Sequence, residues 1–300
     1  MKQNSSASGK FMKFLQFPVT RFFLGFFLIG LVTSIAQIGT EVWPGHVNNL
    51  AQIASVLIIV TIASLAYYGF VRVIEKRAVT ELSPHQAVRE LAGGAALGAL
   101  LFSATIGILW LFGFYKVSGT NAWTVLIPGL VLSISSGVIE EILIRGLLFR
   151  IMEESLGTWI ALAISAVIFG FLHLANPNAT LWGAIAIAIE AGIMLAAAYV
   201  FTRRLWLPIG IHFAWNFSQG AIFGVAVSGN EVQGLLQSTL SGPTLLSGGA
   251  FGAEASIIAV MICLLAGIAL TTLAMKKGNF IQPFWAKHKP ELKQENASPA

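Results

Sequence analysis

Two adjacent carboxylates and a guanidinium, Glu140, Glu141 and Arg145, stand inside the apolar run 131–146. An ionisable side chain near the centre of a bilayer costs roughly 2.5–3.5 kcal/mol on insertion scales, so by default it marks a reaction site or a pathway. On a helix Glu141 and Arg145 are i,i+4 neighbours able to pair, while Glu140 points about 100° away and keeps its charge. Ser133 and Ser136 extend the Glu140 face into a polar stripe directed at protein rather than lipid. Taken alone, the stretch also fits an ion pair that merely locks helix packing.

Three further polar sets follow: Phe169 with His173, Glu190, and His212 with Asn216. The i,i+4 spacing puts Phe169 and His173 on one helix face and His212 and Asn216 on another. If the helices before and after Leu156-Gly157 form a hairpin, Glu140 and His173 both lie about 25 Å from its tip. A second hairpin turning near Arg203-Arg204 places His212 about 12 Å, Asn216 about 18 Å and Glu190 about 20 Å from its own tip. The two sets meet if the first hairpin projects about 10 Å further, which Arg150, Glu153 and Glu154 favour because they need water. A free carboxylate, two imidazoles and an amide on three helices suit hydrolysis. Glu140 is the candidate general base toward water. His173 and His212 either hold a metal with Glu140 or donate hydrogen bonds to the water and the developing oxyanion. Asn216 offers an amide donor suited to an oxyanion. Each residue also has a bland reading, because single His and Asn residues commonly join membrane helices. No His-Glu-x-x-His helix is present, so the usual zinc-protease signature is missing.

These residues need a membrane scaffold to position them, and the composition supplies one. The chain has 300 residues, 56% of them hydrophobic and only 10% charged, with a mean hydropathy of +0.79. An all-α, polytopic helical bundle is expected, with about eight transmembrane spans near 19–39, 50–73, 91–114, 125–148, 158–175, 180–202, 205–226 and 254–275. With a cytoplasmic N-terminus, every Lys and Arg except Arg145 within a span and Lys116 outside falls on the inner side. That bias puts both termini in the cytoplasm. The net charge of +5 therefore reflects orientation and gives no reason to expect nucleic acid. The expected organisation is a polar tail over 1–18, retained before an uncleaved first span, one transmembrane domain over 19–283, and a polar tail over 284–300.

The remaining features read as structural. Cys263 lies in an apolar run and reads as core. His46, His85 and His288 read as solvated interfacial histidines. Ser83-Pro84-His85-Gln86 has the form of a capping box with proline at the first helical position, so a helix is expected to begin there. Residues 227–253, rich in Gly and Ser and free of Lys and Arg, read as an outside linker rather than a lid. Glu190 reads as a protonated acid hydrogen-bonded across helices.

The three sets together resemble the CAAX prenyl endopeptidase and bacteriocin-processing family, known as CPBP or Abi. That family is marked by Glu-Glu-x-x-x-Arg, Phe-x-x-x-His and His-x-x-x-Asn, here Glu140-Glu141 to Arg145, Phe169 to His173, and His212 to Asn216. The resemblance covers about 125–220, including the approach to His212 over 205–211. It implies an intramembrane endopeptidase in which Glu140 activates water, His173 and His212 complete the site and Asn216 stabilises the oxyanion. Glu141, Arg145 and Phe169 would support them. It leaves open a metal-free site or one zinc ion, with the residue types favouring the first. The expected reaction is hydrolysis near the C-terminus of a membrane-associated peptide or protein, lipidated in one version, from a site in the cytoplasmic half of the membrane; in a prokaryote that is the cell membrane. A non-catalytic immunity or scaffold protein of the same fold, and a proton- or cation-coupled transporter, are the alternatives.

Overall fold

The computed structural model describes residues 12–42 and 48–286, so the expectations for His46, for His288 and for most of the two polar tails fall outside the described residues. Among the described residues, eight helical rods make up the bundle. They are α1 (Pro18–Glu41), α2 (Asn49–Glu75), α3 (Ala87–Leu111), α4 (Leu126–Glu141), α5 (Arg150–Leu172), α6 (Leu181–Thr202), α7 (Trp206–Asn216) and α8 (Ile257–Lys276).

Among the described residues, 6 helices are long and apolar enough to cross a membrane, and two features relate them to the expected eight. First, Trp123–Ala175 is one 53-residue helical run that carries two of the expected spans. It breaks at Gly157, whose φ of 76° and ψ of 167° are not helical. A β-carbon at Gly157 would also meet the backbone of Ile281 and Pro283, so glycine is required by conformation and by space. The chain turns back there, because the Arg145 guanidinium stands 4.6 Å from the Phe169 ring centroid, each equally far from Gly157 in sequence. Second, α7 has 11 residues and continues by 6 more over Phe217–Ile222, short for a span.

One end of the bundle carries an ion-pair layer. Arg150 reaches Glu75 and Glu154 at 2.7 Å each, Arg203 reaches Glu153 at 2.6 Å, Arg77 reaches Glu81 at 2.6 Å, and Arg204 pairs with Glu90. Burial favours the neutral Glu81 carboxyl, but hydrogen bonds from Arg77 and Tyr67 outweigh it and hold Glu81 below the usual carboxylate range. A strap after α8 closes the same end. Thr158 N donates to Ile281 O at 3.0 Å, Ile281 N to Thr158 Oγ1 at 2.8 Å, and Phe284 N to Ser155 O at 3.0 Å.

Two expectations need correction. The helix expected to start at Ser83-Pro84 begins at Ala87, after Gln86 in a left-handed conformation (φ 66°) that gives no side-chain cap. The preceding turn is used for docking instead: Ser83 O accepts from the Trp206 indole at 2.7 Å. The 227–253 segment is no mere linker. It forms β2 (Leu236–Leu240), paired antiparallel with β1 (Tyr115–Thr120), and a single helical turn over Thr244–Ser247. Val227, Phe251, Ala253 and Glu254 around it are buried. Its glycines supply left-handed turns, as at Gly229 and Gly248, rather than slack. This outer cap covers the end of the bundle opposite the ion-pair layer.

Small residues set the closest helix contact. Gly94 and Gly98 of α3 face Gly210 and Ile211 of α7 so tightly that a β-carbon at Gly98 would collide with the Ile211 carbonyl. Such small-residue faces let membrane helices approach at backbone distance. This contact places α7, and with it His212.

Candidate active site

The helices break their regular winding beside the polar residues. Wide π-helical turns run over Ile142–Phe149 directly after Glu140-Glu141, over Ala188–Ile193 around Glu190, and over Phe217–Ile222 directly after Asn216. Such turns rotate the residues on either side relative to a regular helix and are frequent at functional sites.

Arg145 and Glu141 are fully buried and pair at 2.8 Å. The other guanidinium nitrogen donates to Ala191 O at 3.1 Å and Gly192 O at 3.2 Å on α6. These bonds offset part of the cost of burying the pair, while Arg145 Nε and Glu141 Oε2 have no hydrogen-bond partner among the described residues. The shared Glu141 oxygen also accepts from His212 Nδ1 at 2.9 Å. Glu141 therefore orients His212.

With Nδ1 engaged, His212 Nε2 points toward Glu140, 3.9 Å from Oε2. That oxygen has no hydrogen-bond partner among the described residues. The Glu140 side chain is 37% exposed and opens onto a cavity of about 220 Å³. The cavity is lined by Glu140, His173, Phe169, Leu172, Phe26 and Asn176, among others. His173 Nδ1 lies 2.8 Å from Phe169 O. A carbonyl only accepts, so Nδ1 carries the proton and Nε2 offers its lone pair. The Phe169 ring packs edge-on to both histidines, at 4.8 Å and 6.3 Å between centroids. Asn216 Nδ2 donates to Ser136 Oγ at 3.0 Å, joining α7 to the polar stripe of α4.

The structure thus brings Glu140, Glu141, Arg145, Phe169, His173, His212 and Asn216 to one region of the bundle. Glu140 lies ten residues from Arg150 and His212 eight from Arg204, so both stand about 12–15 Å from the ion-pair layer. Lone pairs on imidazole nitrogens beside a carboxylate are the right donor types for a divalent ion. The spacing, however, gathers no group of three His, Cys, Asp or Glu side chains about one point among the described residues.

Two residues that carry no weight in the sequence reading line the neighbouring cavity: Trp215, inside the third motif, and Glu254, in the cap. The signal for Glu254 was an acid set between Ala253 and Ala255 at the edge of an apolar span. Cys263 is buried, as expected, and its thiol is hydrogen-bonded to Glu190.

A helical membrane bundle thus holds a carboxylate, two histidines and an amide in one region. Residues 120–218 match the family described as "Type II CAAX prenyl endopeptidase Rce1-like", a segment that contains all three motifs. A protein of Bacillus subtilis (strain 168), named "Putative membrane peptidase YdiL", is 30% identical over 122 residues, covering 41% of this chain. The chain spans about half, 46%, of that relative's length. No solved structure matches the chain. These similarities support the resemblance to CPBP intramembrane endopeptidases drawn from the motifs.

Proposed function

We propose that this protein is an intramembrane endopeptidase that hydrolyses a peptide bond near the C-terminus of a membrane-associated substrate, with Glu140 activating the water. The observation that carries the reading is the Glu140 carboxylate, with one oxygen unpartnered, facing a cavity it shares with His173 and lying 3.9 Å from His212 Nε2. Glu140 takes a proton from water as the hydroxide adds to the substrate carbonyl carbon. His173 Nε2 accepts from the same water and fixes it. Arg145 is paired with Glu141, so in this reading a proton on His212, which lies between Glu141 and Glu140, balances the charge of Glu140. Protonated His212 and Asn216 then donate to the oxyanion, a contribution that typically amounts to about 2.7–4 kcal/mol per donor. The carbon–nitrogen bond breaks as the leaving amine takes the proton back from Glu140.

The Arg/Glu layer at one end favours that end as cytoplasmic. A site about 12–15 Å above it then lies in the cytoplasmic half of a hydrocarbon core about 30 Å thick. A prenylated C-terminal segment is one substrate of this class. The test is cleavage of a library of C-terminal peptides by purified protein in detergent or liposomes, with Glu140→Gln as control and with and without chelator. Product formation that disappears in Glu140→Gln and survives chelator supports the metal-free reaction. Loss in chelator would make Glu140, His173 and His212 ligands of a zinc ion instead. No cleavage, together with substrate flux across liposomes, would replace the peptidase by the transporter reading.

A further inference from the structure

A hydrolase inside a membrane consumes one water per bond in surroundings that exclude water, so the site needs a place to keep it. A second cavity lies between the cap, α6 and α7, lined by Glu190, Trp215, Glu254, His173, His212 and Phe169 among others. Its volume is about 20 Å³. A cavity holds a water once it has about 10–15 Å³ and two to four polar partners, so this one has room for a single molecule.

Its walls supply those partners. Glu190 Oε2 and Trp215 Nε1 are buried and have no hydrogen-bond partner among the described residues, although both residues face this cavity. An acceptor and a donor left unsatisfied on one small cavity each cost about 1–3 kcal/mol unless a water joins them. Glu254, also buried, comes from the cap, its carboxylate anchored by the backbone N–H of Ser228. Burial pushes the Glu254 carboxyl up to about 7, partly offset by the Ser228 bond, so near neutral pH it can either give or accept a hydrogen bond. Phe169 and His173 line both this cavity and the one that holds Glu140. The two spaces are therefore one side-chain layer apart.

We propose that this cavity is the water store of the site: it binds one water between Glu190, Trp215 and Glu254 and releases it past His173 to Glu140. Its occupancy by water stands on geometry alone, while its role as a supply rests on the endopeptidase reading. The proposal gives the outer cap a task, since the cap closes the store from the side opposite the ion-pair layer.

The test is a double-variant cycle on Glu190→Leu and Trp215→Phe, which remove the acceptor and the donor respectively, read by peptide cleavage and by thermal unfolding. With a shared water, each single change lowers kcat about tenfold with KM unchanged. The double variant is then no slower than the worse single one, because either change already disrupts the same water. Independent, multiplying losses, or full kcat in both singles, would overturn the proposal. So would a Trp215→Phe protein that unfolds at a higher temperature than the parent, the result expected if the indole N–H has nothing to bond. If the parent protein cleaves no peptide at all, the endopeptidase reading fails by itself. The unfolding cycle then still decides the water site, a non-additive result supporting it and an additive one overturning it.

Discussion

Replacing Arg145 by methionine isolates the interaction that binds the α4–α5 hairpin to α6. The side chain is fully buried and its guanidinium meets Glu141 at 2.8 Å, Ala191 O at 3.1 Å, Gly192 O at 3.2 Å and the face of Phe169 at 4.6 Å. Methionine keeps most of the volume and none of these bonds, and it leaves Glu141 buried with only His212 beside it. Breaking a buried pair by removing one partner costs about 3–5 kcal/mol, a factor of roughly 10² to 10⁴ in the folding equilibrium. Because Glu141 orients His212, peptide cleavage should fall with stability. Reversible unfolding in mixed micelles reads the first and the peptide assay the second. The sharper measurement adds Glu141→Gln. Neutralising the stranded carboxylate should make the double variant less destabilised than the sum of the singles, since contacting residues are not additive. A single variant within about 0.5 kcal/mol of the parent, or singles that simply add, would show that the pair does not act as a unit.

Other outcomes follow from the same structure. Glu140→Gln should reduce cleavage by at least about 10²-fold while leaving the unfolding temperature near the parent's, because the residue is partly exposed and its Oε2 bonds nothing. Gly98→Val should destabilise the protein by about 1–3 kcal/mol and lower activity with it, since the new side chain must push α3 away from the helix that carries His212; unchanged unfolding would contradict the close contact. Glu81 is held below the usual carboxylate range by Arg77 and Tyr67, so the stability it lends is present above that range and is lost as pH falls through its lowered value. Tyr67→Phe should bring on acid unfolding at a higher pH than in the parent, measured as unfolding temperature against pH. Glu254 has the opposite sign. Its carboxyl sits at about 7, so its contribution is greatest below the ordinary carboxylate value and fades as pH rises through about 7; Glu254→Gln should therefore gain stability relative to the parent between those limits.

The site was legible where helical periodicity alone decides direction. Glu141 with Arg145 and Phe169 with His173 are pairs within a single helix, and the i,i+4 rule placed both correctly. The turn at Leu156-Gly157 was readable because two apolar runs meet at a glycine, and equal arm lengths then put Glu140 and His173 on the same cavity. What escaped depends on contacts between distant segments. The bond from His212 to Glu141 needs the rotation of α7 against α4, which Gly94, Gly98 and Gly210 set by allowing α3 so close. The cap was hidden for another reason. Its Gly and Ser content looks like slack, whereas the fold uses it for left-handed turns and for pairing β2 with a strand that precedes it by more than a hundred residues. Glu254 went unnoticed with it. The start of α3 was misplaced because Gln86 turns left-handed just before it and makes no side-chain cap, while the Ser83 carbonyl docks the Trp206 indole, a partner far along the chain.

The strap that closes the hairpin tip has a bearing on biosynthesis. Thr158 and Ser155 are held by Ile281 and Phe284, which leave the ribosome some 120 residues later, about 6–24 s at ordinary elongation rates. During that interval α4 and α5 can already be inserted while their loop has nothing to fasten it. The hairpin tip of a newly made molecule thus gains its fastening only after translation has passed Phe284.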